Sequence, residues 1–135
     1  MISHLLDTSI CIEMIRGKRQ AVLGRLRSMP VGSVAISTIT LAELWYGVAR
    51  SSDPARNAIG VAEVCAAWAM LPFDRDAAEV YGRLRAGLDQ AGRGIGPLDT
   101  LIAAHALSLN AILVTCNERE FSRVEGLRVE NWARI

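Results

Sequence analysis

Gly94-Ile95-Gly96-Pro97 leads into Leu98-Asp99-Thr100-Leu101-Ile102-Ala103-Ala104-His105-Ala106-Leu107-Ser108-Leu109, and after Asn110 comes Ala111-Ile112-Leu113-Val114-Thr115. A glycine- and proline-rich breaker, a twelve-residue helix and a buried strand follow one another without a spare residue. Asn110 stops the helix, and the uninterrupted apolar strand is of the kind that is buried on both faces of a parallel sheet.

Working outward, the same alternation repeats. A strand at 2–6 precedes a helix from Thr8 to Ile15 that Gly17 stops. An amphipathic helix at about 19–28 sets Val22, Leu23 and Leu26 against Arg19, Arg25 and Arg27. Met29-Pro30 breaks it before a strand at 33–38, and Thr40 is expected to open a helix through Arg50. Asp53-Pro54 and Asp74 are helix starts. Between them Met70-Leu71-Pro72-Phe73 is a short strand that Pro72 confines to an edge or a terminal position. The short helix 118–123 and a last strand within 127–132 complete the chain. Strands alternating with helices predict one compact α/β domain over 1–135, with a parallel sheet covered on both faces.

Of the 135 residues 51% are hydrophobic and 21% charged, which excludes a disordered chain. The mean hydropathy of +0.25 is high, so a large interior and some apolar surface for a partner are both expected. The net charge of +1 gives no global basic field for nucleic acid. The basic residues are arginines except for Lys18, and arginine suits phosphate. Cys11, Cys65 and Cys116 form no metal-binding or CxxC pattern and are expected as small buried thiols in a reducing compartment. No secretory leader and no apolar run of membrane-spanning length is apparent, so a cytoplasmic location without membrane contact is expected.

Three carboxylates occupy strand-to-helix boundaries: Asp7 after the first strand, Glu43 after the second, and Asp99 in the first turn beyond the breaker. In a parallel sheet these boundaries gather at the carboxyl edge, where open α/β folds place ligands. Each residue also has a purely structural use. Asp7, Thr8 or Ser9 suits an N-cap, Thr40 with Glu43 fits a capping box, and Asp99 complements a helix dipole. Convergence favours a site, because carboxylates that meet without a cationic partner repel one another and call for a divalent cation. Oxygen ligands suit Mg2+ or Mn2+, and such a centre can activate water for attack on phosphorus. Asn117 and Glu120, just past the strongest strand, are candidates for a fourth metal contact. His4 and His105 lie in apolar elements and are expected to pack or hydrogen-bond. Arg85, Arg93 and Arg119 are candidate contacts to a phosphate backbone. Leu44, Trp45, Tyr46, Val48 and Trp68 are candidates for a protein partner.

The segments Leu5-Leu6-Asp7-Thr8-Ser9, Ile36 to Leu44, Gly96 to Ala106, Leu113 to Phe121 and Val124 to Trp132 together resemble the PIN-domain family, specifically VapC-type toxins of toxin–antitoxin pairs. The resemblance covers essentially the whole chain. It implies a three-layer α/β/α sandwich and a Mg2+- or Mn2+-dependent endoribonuclease with Asp7, Glu43 and Asp99 at its acidic positions. Thr8, Ser9 and Thr115 would support them, and the backbone at Arg85, Arg93 and Arg119 would be that of RNA. It implies a homodimer, or a hetero-oligomer with a VapB-like antitoxin, and promoter DNA bound only through that antitoxin. Ser9 stands where many relatives have Asn, and Asn117 where many have Asp, leaving Glu120 to supply the missing charge. The alternative is a PIN-fold regulatory protein of a promoter-binding complex that cleaves poorly.

Overall fold

A computed structural model describes residues 1–17 and 20–133. Twelve elements appear among them: β1 (His4–Leu6), α1 (Thr8–Ile15), α2 (Gln20–Ser28), β2 (Val34–Ser37), α3 (Thr38–Ala49) and α4 (Pro54–Ala67), then β3 (Ala69–Leu71), α5 (Arg75–Gln90), α6 (Pro97–Ser108), β4 (Ile112–Val114), α7 (Glu118–Phe121) and β5 (Val129–Glu130). The expected start of α2 at Arg19 lies outside the described residues, as does Lys18.

All five strands pair in parallel, in the order β3-β2-β1-β4-β5. The chain lays down β1, β2 and β3 in one direction and then crosses back to place β4 against the other side of β1. The carboxyl ends of β1 and β4 therefore flank the point where strand order reverses, the usual position of a ligand crevice in such sheets. Pro72 directly follows β3, the edge strand, where its missing N–H costs no ladder bond.

Strand pleating sorts the core into two layers. Leu6, Ile36 and Val114 lie side by side in register and pack with Ile10 and Cys11 of α1, Val22 of α2, Leu44 of α3 and Val61 and Val64 of α4. Leu5, Ala35 and Leu113, one residue earlier, face the opposite way onto Leu88 of α5, Ile102, Ala103 and Ala106 of α6, and Phe121 of α7. The three-layer α/β/α arrangement is the result. Among the described residues no helix is long and apolar enough to cross a membrane.

Three local expectations need correction. The start of α3 is Ser37, whose Oγ accepts from Ile39 N at 3.1 Å, and Thr40 sits inside the helix. The Thr40–Glu43 capping box does not form because the chain passes from β2 into α3 without a loop. Leu44 is 4% exposed and belongs to the core, whereas Trp45 and Tyr46 are exposed, and Val48 and Trp68 pack half-buried against the core. Of the thiols only Cys11 is fully buried; Cys65 and Cys116 are half-buried.

Helices α1 and α4 meet closely. A Cβ built at Gly60 would stand 2.7 Å from Ile15 Cγ2, on a β-branched side chain that is stiff at χ1. Gly60→Ala should therefore destabilise by about 1–3 kcal/mol despite its better helix propensity. Urea unfolding measures this, and an unchanged or raised midpoint would show that α1 yields freely.

Candidate active site

One residue beyond the registered trio Leu6, Ile36 and Val114 stand Asp7, Ser37 and Thr115. Asp7 ends β1 with an extended backbone (φ −77°, ψ 163°), caps α1 and is 2% exposed. Its Oδ1 accepts from Thr8 N at 2.7 Å, and its Oδ2 from Ser9 Oγ at 3.0 Å and Thr115 Oγ1 at 2.6 Å. Burial pushes its carboxyl above the ordinary range, and these hydrogen bonds oppose the rise. The donors are themselves aligned. Cys116 N donates to Ser9 Oγ at 3.0 Å and Asn117 N to Thr115 Oγ1 at 2.9 Å. With both hydroxyl protons committed to Asp7, the 3.3 Å approach of Ser9 Oγ to Thr115 Oγ1 is a contact without a proton of its own.

Glu43 lies well inside α3, and its Oε1 accepts from Thr8 Oγ1 at 2.7 Å. Thr8 thus ties the Glu43 carboxylate to the residue that follows Asp7. Asp99 enters on the first turn of α6 and is half-buried. Its carboxyl is pushed up to about 7, first by burial, then by the charges of Asp7 and Glu120, a hydrogen bond with Glu120, and the charge of Glu43. Glu120 Oε1 accepts from Gly96 N at 3.1 Å, which fastens α7 to the turn that delivers Asp99. A Cβ on Gly96 would stand in ordinary contact with both carboxylates, 3.6 Å from Asp99 Oδ2 and 3.9 Å from Glu120 Oε1, so this turn lies directly against the cluster.

Asp99 therefore feels the charges of Asp7, Glu120 and Glu43, and among the described residues none of the four is ion-paired with a basic side chain. They do not form a closed cage: no three His, Cys, Asp or Glu side chains among the described residues converge tightly enough to hold an ion unaided. A cation that keeps part of its water shell does not need such a cage.

The remaining expected residues separate. Asn117 is exposed and makes no side-chain cap bond to α7. With Glu118, Arg119, Glu120 and Arg123 it lines a cavity of about 420 Å³ beside the carboxylates. Arg93 is exposed in the loop before α6, and Arg85 is turned to its own helix, donating to Tyr81 OH at 2.8 Å. Arg123 escaped the sequence reading: its Nη1 donates to Gly94 O at 3.1 Å, and it lies four residues after Arg119, just past the end of α7. That spacing was the available signal. His105 and His4 take the structural parts expected of them. His105 is 1% exposed, with Nδ1 2.8 Å from Ser37 Oγ, and burial lowers its pKa. His4 stacks near Trp132 at 5.4 Å.

Residues 4–127 match the PIN domain model. The chain belongs to the PIN domain family. Within it, a relative from Shigella flexneri named tRNA(fMet)-specific endonuclease VapC is 42% identical over 98% of this chain and 100% of its own. The crystal structure of DNA-bound VapBC from Salmonella typhimurium contains a chain 39% identical that superposes with a TM-score of 0.93, over 98% of this PIN domain and 99% of that chain. VapBC2 from Rickettsia felis, bound to a DNA fragment from its promoter, gives a TM-score of 0.91 at 37% identity, covering 98% and 99%. This PIN domain is thus of the VapC type.

Proposed function

We infer that the chain, acting as one PIN-like domain, is the endoribonuclease toxin of a VapBC-type pair. The observation that carries the catalytic part is the cluster of Asp7, Glu43, Asp99 and Glu120 at the β1/β4 crevice without a basic counter-charge. Those residues would hold a divalent cation, Mg2+ or Mn2+, which when bound polarises a phosphoryl oxygen and acidifies water at neutral pH. Thr8, Ser9 and Thr115 hold the carboxylates in place through the hydrogen bonds described above. Asn117, exposed and unbonded at its side chain, serves the rim rather than the ion. Arg119 and Arg123, in the adjoining cavity, supply local positive charge for an RNA backbone that the net charge of +1 does not provide.

The Shigella relative's name makes tRNA(fMet) the first substrate to test. The VapBC complexes support a VapB-like antitoxin as partner, with promoter DNA reached through it. An apolar groove of about 260 Å³ between α1, α3 and α4, with Glu43 on its wall, is the seat we assign to an antitoxin segment. Exposed Trp45 and Tyr46 on α3 offer further apolar area for the antitoxin or a second copy. Purified protein with Mg2+ or Mn2+ should cut tRNA(fMet) to defined fragments, and a chelator should stop it. If no RNA is cut with either ion and neither ion raises the melting temperature, the chain is a regulatory binding protein.

A further inference from the structure

Helix α6 carries Asp99 near its start and His105 six residues later, about 9 Å further along the axis. His105 Nδ1 lies 2.8 Å from Ser37 Oγ in a buried contact between residues 68 apart in sequence. Ser37 stands in the same row of the sheet as Asp7 and Thr115, one residue past the registered Leu6, Ile36 and Val114. Pleating turns that row toward the layer containing α6. The helix consequently meets the row at two places: Asp99 reaches the charge of Asp7, and His105 grips Ser37.

Ser37 Oγ accepts from Ile39 N as the cap of α3 and makes a second hydrogen bond with His105 Nδ1, so one hydroxyl joins the cap to the ring. Two further contacts hold the ring and the cap in place. Phe73 meets His105 edge-on at 5.5 Å, and Phe73 N donates to Thr38 Oγ1 at 3.1 Å. Sliding α6 along the sheet would break the His105 bond and change the height of Asp99 over Asp7. Rotating the start of α3 would break the same bond and move Glu43.

We propose that His105 is a positioning residue for the phosphodiester cleavage, locking α6 and the start of α3 to the Asp7 row so that Asp99 and Glu43 face Asp7 at a set separation. The inference rests on the nuclease reading for its kinetic consequence, but the lock itself does not. His105→Leu keeps the bulk and removes the hydrogen-bonding nitrogen. His105→Asn restores a polar atom, Oδ1 or Nδ2, at the place of Nδ1, whereas His105→Gln cannot put one there. A displacement of about 1 Å at the reacting groups costs up to roughly 100-fold in rate. At saturating Mg2+, kcat on tRNA(fMet) should fall about 10- to 100-fold in His105→Leu and His105→Gln, with KM within about twofold of the parent, and return in His105→Asn. Amide resonances of Gly96 and Asp99 should shift in the two impaired variants and return in His105→Asn, a readout that needs no activity. Should His105→Leu fail to fold, His105→Gln takes its place. Full kcat in both variants, or His105→Asn as slow as His105→Gln, or unmoved Gly96 and Asp99 amides would overturn the proposal. A parent protein that cuts no RNA while the amides behave as stated would refute the nuclease reading and leave the lock standing.

Discussion

Asp7→Asn should abolish RNA cleavage while leaving the fold as stable as before, or more so. The carboxylate is 2% exposed and receives three hydrogen bonds, so its charge is kept in the interior at an energetic cost. Burial raises its pKa, which means that the ionised form is disfavoured in the folded protein relative to water. Replacing it by a neutral isostere removes that cost, with the Ser9 and Thr115 hydroxyls, which donate to Oδ2, turning to accept from Nδ2. The amide no longer offers a cation a negative oxygen between Glu43 and Asp99, and several kcal/mol of charge stabilisation are lost, a drop of about 10²- to 10³-fold or more in kcat. Initial rates on tRNA(fMet) and a thermal melt of the same sample measure the two effects together. A variant that melts at the parental temperature and still cuts at the parental rate would remove Asp7 from the chemistry.

The second large effect joins pH to the cation. Asp99 is pushed up to about 7 from an ordinary 3.8, so the folded protein holds its proton more tightly than the unfolded chain does. Stability from this source is complete below the unfolded value and is lost as pH rises from about 4 to about 7. Above that range Asp99 is charged and placed against the charges of Asp7, Glu120 and Glu43. A divalent cation would bind the site with Asp99 deprotonated, so the stabilisation it gives should be slight near pH 5.5 and large near pH 8. At a cation concentration about a hundred times the dissociation constant, the gain is about 2.7 kcal/mol, worth several degrees in a chain of this size. Melting curves of chelator-treated protein, with and without Mg2+ or Mn2+ at both pH values, provide the test. A shift of equal size at both would separate cation binding from Asp99. Because Asp99 is half-exposed, solvent screening reduces the energetic weight of its own shift, and the comparison between pH values is the robust quantity.

Much of this architecture could be read from short-range patterns. The helix starts at Asp53 and Asp74 are local, and both side chains cap as their sequences suggest, at Arg56 N and Ala77 N. The parallel sheet followed from the alternation of apolar strands with helices, and Asp7 and Asp99 followed from their places at its edge. The start of α3 did not follow, because Thr40 and Glu43 carry a good local signal that long-range bonds override. Ser37 is engaged by His105 of α6, Thr38 by Phe73 N beyond β3, and Glu43 by Thr8. Glu120 could be suspected from its charge, but its bond to Gly96 joins residues 24 apart and has no spacing rule. The arginines were hard to read for a different reason. Arg85 is a helix-face residue that finds Tyr81 one turn away, whereas Arg123 looks like any surface arginine until α7 is folded against the loop at Gly94.

The order of the strands also sets a timetable. Asp7 is synthesised long before Thr115, whose hydrogen bond to it spans 108 positions, and Glu120 comes later still. Until β4 emerges, β1 has a partner on one side only, and the crevice at the strand-order reversal has one wall. Parallel pairing across such separations is slow to close, since chain entropy must be spent before the contacts form. An incomplete chain can hold Asp7, Glu43 and Asp99 and still lack the strand that fixes Asp7. The crevice therefore gains its second wall, and Asp7 its Thr115 donor, only once β4 and the residue after it have been made.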